Sequence, residues 1–256
     1  MNSKVNILVI PLDNRPVSYA LPAQTASINQ NCNILLPPKE IVGGLTFYAE
    51  VDKILNWLET ELKNQAPDFI VCCLDTIAYG GLIPSRRSSD SIEQIQQRLT
   101  KFKKIIENCE KKPKIYAFSS IMRISNNNIN EEEKLYWDKY GELIFKYSFL
   151  SHKLLFFPCA ESFQELEKAK ELIPGEILAD YINTRKRNFQ INAQYIDWKK
   201  EVFFEYYVYS QDDTAEYGAN VREKDLLIDL IEKNNLQEKA EIKTGADEIP
   251  TCLTVR

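Results

Sequence analysis

The sequence predicts an α/β fold: a mainly parallel sheet with covering helices, either (β/α)-barrel-like and incomplete or an open doubly wound sheet. Three observations predict it. Strand-like runs occur at Val5-Ile10, Asn33-Leu36, Phe69-Leu74, Lys114-Phe118, Val202-Tyr209 and Ala240-Lys243. Helical stretches separate most of them, and repeated βα alternation implies parallel pairing. The stronger runs end in clusters of acids, amides and arginines, as expected where ligand sites form at the carboxyl ends of strands.

The first run is apolar from its start and reads as a strand rather than a signal peptide, because it is short and lacks a small-residue cleavage site. Ala49-Asn64 repeats Val51, Ile54, Leu55, Leu58 and Leu62 with helical period, and Ser91-Cys109 does the same with Ile92, Ile95, Leu99, Phe102 and Ile106. Both are amphipathic and should cover the sheet. Asp90-Ser91-Ile92-Glu93 reads as a helix start, with Asp or Ser as the cap. The segment from Asn130 to Lys200 is mostly helical in pattern, with Asn130-Glu131-Glu132-Glu133 opening one helix. Lys153-Phe157 fits either a short strand or a helix end, and Thr214-Glu232 reads as a helix. Six strands are two short of a closed eight-strand barrel. The whole of residues 1–256 reads as a single α/β domain.

The 256 residues carry a formal net charge of -5 with both signs interspersed, which argues against electrostatic capture of nucleic acid. No run approaches the roughly 18 apolar residues of a membrane span. The expectation is a soluble, cytoplasmic protein that acts on a small molecule or glycan and engages neither nucleic acid nor membrane. Six cysteines without C-x-x-C spacing read as buried free thiols, and His152 is the only histidine, which removes histidine-based metal clusters.

Five motifs carry the candidate site. Pro11-Leu12-Asp13-Asn14-Arg15-Pro16 follows the first strand, and its prolines stiffen the acid, amide and guanidinium between them. After the third strand come Asp75, Tyr79, Gly80-Gly81 and Arg86; the glycines permit positive φ or close approach to a ligand. Arg123 and Asn126 follow the fourth strand, where the alternative is a capping turn. The fifth strand ends in Gln211-Asp212-Asp213, with Tyr217 beyond. Asp247 and Glu248 follow the last strand, where a helix N-terminus is the alternative. A further group, Asp180 to Arg187 with Arg185 and Arg187, falls on a predicted helix. Of nine arginines, seven lie in or beside these motifs, while the 23 lysines fill ordinary helix faces. Guanidinium is the rigid bidentate donor, so this placement points to an anionic ligand.

Together the segments PLDNRPVS, LDTIAYGGLIPSR, MRISNNN, DYINTRKRN, SQDDTAEYG and GADE resemble, in order and over residues 11 to 248, a bacterial family catalogued as domain of unknown function 4127. The resemblance implies that the chain corresponds to the N-terminal half of longer proteins and is truncated at its C-terminus relative to them. It implies no established activity. The Asp212-Asp213 pair is similar to the adjacent acids of substrate-assisted N-acetylhexosaminidases with barrel folds. There one acid orients the acetamido group and its neighbour protonates the leaving oxygen. The expected function is therefore a hydrolase of a glycoside or anionic sugar-like substrate, with Asp212 and Asp213 as acid and base and no cofactor. Two alternatives stand beside it. In one, Asp75, Asp212, Asp213 and Asp247 hold Mg²⁺ or Ca²⁺ for phosphate- or sulfate-ester chemistry. In the other the chain only binds an anionic glycan.

Overall fold

In a computed structural model, which describes residues 4–212 and 214–256, the six expected strands form one all-parallel sheet. They are β1 (Val5–Ile10), β2 (Cys32–Leu35), β3 (Phe69–Cys73), β4 (Lys114–Ile121), β5 (Tyr206–Gln211) and β6 (Ala240–Thr244), in the order β2-β1-β3-β4-β5-β6. β1 has β2 on one side and β3 on the other. The chain thus reverses its direction of growth after β2, sends helices to both faces, and leaves β2 and β6 as edges. The sheet is open and doubly wound, the second of the two expected forms, and it does not close into a barrel.

Because both faces are covered, strand residues are apolar on both. Leu8 and Ile10 of β1, Ile70 and Cys72 of β3 and Tyr207 and Tyr209 of β5 pack with α2 (Val51–Gln65), α5 (Ile92–Glu107), α8 (Gly175–Lys200) and α9 (Ala219–Lys233). Ile7, Val9, Val71, Cys73, Phe118 and Val208 face the other way, toward Ile249 and Leu253 of α10 (Ile249–Val255). Beside α10 lies α1 (Pro16–Ser27), which buries Ser18, Pro22 and Ala26. The short helices α3 (Leu74–Tyr79) and α4 (Leu82–Arg87) follow β3 directly. Between β4 and β5 the chain adds α6 (Trp137–Lys153) and α7 (Ala160–Leu172); Trp137 and Ile144 of α6 form a separate cluster with Ile173 and with Leu178 and Tyr181 of α8.

Local departures have local causes. β5 begins at Tyr206, not Val202: the chain leaves α8 through Val202 at φ 59, a left-handed turn unusual for a β-branched residue. Lys153 ends α6, and Leu154 to Phe157 continue as turns, not a strand. The acids Glu131 to Glu133 precede α6 in a turn and do not open it. α9 starts at Ala219, after Gly218. The thiols are free, but only Cys72 and Cys73 are buried; Cys159 and Cys252 are exposed. Among the described residues no helix is long and apolar enough to cross a membrane.

The start of α5 is a capping box. Ser91 Oγ accepts from the Gln94 amide at 3.3 Å, and Gln94 Oε1 accepts from the Ser91 amide at 2.8 Å. The reciprocal partner is Gln94, not Glu93. Ser91→Ala is expected to cost about 1 kcal/mol in urea denaturation.

Candidate functional site: a charged recess at the strand ends

The carboxyl ends of the central strands lie side by side, with Cys73 level with Phe118 and Ile121 level with Gln211. Beyond them is a recess of about 170 Å³ lined by Asp13, Arg15, Gly44, Leu45, Leu82, Ile83, Arg86, Arg123, Glu132, Asp212 and Asp247. Its acids and guanidiniums arrive from the loops after β1, β3, β4, β5 and β6. Between β1 and β3 the strand order reverses, and such switch points are where open α/β sheets bind ligands.

Arg15 forms one wall. Its Nε donates to Asp13 Oδ2 at 2.8 Å, and Nη1 and Nη2 donate to the two oxygens of Asp247 at 2.8 and 2.6 Å. Burial alone lowers the Arg15 pKa, but the bonds to Asp13 and Asp247 outweigh it and hold the guanidinium above its ordinary value. Pro16 at the first position of α1 helps fix this turn.

The opposite wall holds two further guanidiniums. Gly80 at φ 86 and Gly81 at φ 135 make the turn between α3 and α4 that brings Arg86 back over the strand ends. A side chain at either glycine would strain that turn. Arg86 is 2 % exposed; its Nη1 lies 3.4 Å from both Glu132 Oε2 and Glu133 Oε1, and its buried Nε has no hydrogen-bond partner. Burial lowers its pKa, Glu133 opposes that, and the neighbouring Arg123 adds to it. Arg123 reaches Glu132 Oε2 at 2.7 Å through Nη2, and its Nε donates to Glu133 Oε1 at 3.3 Å.

Asp75 lies at the end of β3 but not on the recess surface. It is 2 % exposed, and its Oδ2 accepts from the Ser120 amide at 2.8 Å. Burial pushes its pKa up to about 7, against the bonds from Ser120 and the charge of Arg86. A chain of hydroxyl and amide groups surrounds it: Ser210 Oγ donates to Ser120 Oγ, Asn192 Nδ2 donates to the Ser120 carbonyl, and Tyr207 Oη donates to Ser119 Oγ.

The other expected site residues that are described lie outside this recess. Asn14 lies beside Gly44, outside the lining. Tyr79 is core, 3 % exposed, with the Arg187 guanidinium 5.5 Å from its ring centre. Arg187 donates to the carbonyls of Ser85, Ser88 and Asp90, so it ties down the loop after α4. Arg185 pairs with Glu223 and donates to the carbonyls of Met122 and Arg123. Asn126 is exposed outside the recess, while Asn127 and Asn128 accept from the amides of Ile129 and Glu142; the asparagine run is a capping turn. Gln211 is buried and donates to the Asn220 carbonyl at 3.4 Å. Tyr217 packs among Phe149, His152, Phe156 and Phe157. Glu248 folds over Gly245 at the start of α10 and lines a groove beside β6. Asp213 lies outside the described residues.

Glu132 and Glu133 are the partners of the recess arginines that sequence reasoning misses, since acids ahead of a helix satisfy its dipole and attract no further question. The available signal is the Arg86-Arg87 pair, two guanidiniums that need counter-charges. Arg87 itself secures the acidic turn, donating to the carbonyls of Asn130, Glu131 and Glu133.

A family model described as a protein of unknown function, DUF4127, matches residues 7–256. The chain belongs to the DUF4127 family. No curated protein and no solved structure matches it. In this DUF4127 chain the site is polar and small, whereas a larger concavity, about 1090 Å³, runs between α2 and α5. That groove is lined mainly by solvated Lys, Glu and Gln side chains away from the strand ends, and it converges no buried charge. Among the described residues no group of three Asp, Glu, His or Cys side chains could hold a metal ion. Of the four aspartates in the alternative cation reading, Asp75 is directed to Ser120, Asp247 is clasped by Arg15, Asp212 lines the recess and Asp213 lies outside the described residues.

Proposed function

We propose that the DUF4127 chain is a hydrolase of a small anionic, hydroxylated substrate, a glycoside or ester of a sugar acid or sugar phosphate, bound in the strand-end recess. The observation that carries this reading is the convergence of Arg86, Arg123 and Asp212 on one recess in which the buried Arg86 Nε lacks a partner. A buried guanidinium N–H without an acceptor is costly, and a ligand oxygen would supply one. Arg86 and Arg123 then hold the anionic group, while Asp212, with Asp213 beside it in sequence, transfers the proton to the leaving oxygen and activates water. The volume is below the roughly 300–1,000 Å³ of sites for drug-sized ligands, which suits one sugar-sized unit rather than a polysaccharide. The adjacent acids support this assignment without a barrel, since the sheet is open.

A panel of aryl glycosides, uronides and phosphorylated sugars, assayed between pH 5 and 8, tests it. Asp212→Asn is expected to lower kcat by about 100-fold or more, and Arg123→Gln to act mainly on KM. Unchanged turnover in Asp212→Asn would remove the acid–base role. One observation favours a second reading, an anion-binding module without chemistry: Asp13 and Asp247 are both bonded to Arg15, so two of the recess acids serve to fix a guanidinium. It predicts saturable binding of a sugar phosphate with no product, weakened by Arg123→Gln.

A further inference from the structure

Residues of α6, α8 and α9 line another cavity, of about 500 Å³, that shares no lining residue with the recess. We propose that it is a separate site for a small carboxylate with an apolar, ring-sized body, independent of any ligand in the strand-end recess.

Two kinds of wall meet there. Ile182, Phe189 and Leu226 form an apolar floor, with Ile182 and Leu226 each 41 % exposed although both lie on helices packed into the fold. Tyr181, Lys186 and Arg222 supply the polar part. Tyr181 is 2 % exposed, its ring tilted on Trp137 with centres 6.1 Å apart, and its Oη beside Ser148 and Arg185 makes no hydrogen bond of good geometry. A buried hydroxyl normally finds a partner, and its lack here marks a place for an acceptor brought by a ligand. Lys186 and Arg222 are exposed and have no ion-pair partner among the described residues. The only carboxylate in the lining, Glu223, is already bonded at both oxygens by Arg185. The free charge at this cavity is therefore positive.

The backbone donors at the adjacent helix start are not part of the site. His152 Nδ1 accepts from the Gly218 amide at 3.2 Å, and Ser148 Oγ accepts from the Ala219 amide at 2.8 Å. These bonds leave His152 with its ring proton on Nε2 and give the cavity another neutral donor. A carboxylate seated here takes bonds from Tyr181 Oη and the Arg222 guanidinium, while its apolar body covers Leu226 and Ile182. The volume lies within the range typical of small-molecule sites.

Benzoate and inorganic phosphate are the probes, titrated by calorimetry and by amide chemical shifts into the whole chain and its variants. Saturable benzoate binding is expected, weakened about tenfold in Tyr181→Phe and in Arg222→Gln, which is the worth of one charge-assisted bond. Phosphate, lacking an apolar body, is expected to bind more weakly. Asp212→Asn and Arg123→Gln, which alter the strand-end recess, should leave benzoate affinity unchanged. No saturation at concentrations on the order of 10 mM, or an affinity indifferent to both Tyr181→Phe and Arg222→Gln, overturns the proposal. So does loss of binding in Asp212→Asn, which would place benzoate in the recess instead. Arg222 is exposed, so its variant reports on binding even if Tyr181→Phe folds poorly.

Discussion

Replacing Arg185 by Gln is expected to destabilise the fold by about 3–5 kcal/mol. Arg185 is 4 % exposed and meets Glu223 in a fork, Nε to Oε1 at 2.9 Å and Nη2 to Oε2 at 2.7 Å. Burial raises the Glu223 pKa against the pull of Arg185, and the guanidinium itself is held above its ordinary value once Glu223 overcomes the effect of burial. Each charge of the pair depends on the other. Arg185 also donates to the Met122 carbonyl at 2.7 Å and the Arg123 carbonyl at 3.3 Å, just beyond β4. Losing it strands a buried carboxylate and leaves two carbonyls with fewer donors. Adding Glu223→Gln to Arg185→Gln should restore part of the loss, because the uncompensated charge is gone. Urea midpoints of the single and double variants check this, and a single variant within about 1 kcal/mol of the parent would show that water replaces the fork.

Asp75→Asn is expected to change how stability depends on pH. The folded-state pKa of about 7 lies above the ordinary carboxyl value of 3.8, so between those values the native state keeps a proton that the unfolded state has released. The stability associated with the neutral carboxyl is full below about pH 3.8 and is lost as pH rises toward and through 7. Over that interval the linkage amounts to about 4 kcal/mol, as an order of magnitude. Asparagine keeps an oxygen for the Ser120 amide and cannot ionise. The variant should gain on the parent between pH 5 and pH 8, with the difference read from denaturant curves at the two pH values. An identical difference at both would mean that Asp75 ionises early despite its burial.

The sheet was legible because each strand is short, apolar and bounded, and both faces are covered, so β1 and β3 read as continuous apolar runs. The strand order was not legible. Whether β3 pairs with β2 or returns to the far side of β1 depends on long-range packing that alternation of strands and helices leaves open. Val202 and Phe203 belong by composition to the strand that follows them, yet the last turn of α8 claims them: the Phe203 amide donates to Trp198 and Val202 takes positive φ. At the site, Asp13, Arg15, Arg86, Arg123, Asp212 and Asp247 could be found because acids and guanidiniums directly after strands are close in space whatever the strand order. Tyr79, Arg185 and Arg187 failed that logic. An arginine also serves to bind several loop carbonyls at once, and sequence does not distinguish that use from ligand capture. The same ambiguity explains why the arginines alone overstate the free positive charge: Arg15 is bonded to Asp13 and Asp247, and Arg123 to Glu132 and Glu133.

The Arg15–Asp247 fork joins residues 232 positions apart. Asp247 precedes α10, which crosses back over the sheet to lie on α1, so two segments far apart in sequence meet over the same strand tips. During synthesis β1 and its loop, with Asp13 and Arg15, emerge more than two hundred residues before Asp247. Contacts of such long separation are slow to form, since their chain entropy is lost before they return any stabilisation. Maturation of the recess therefore reports on the docking of β6 and α10 rather than on the onset of folding.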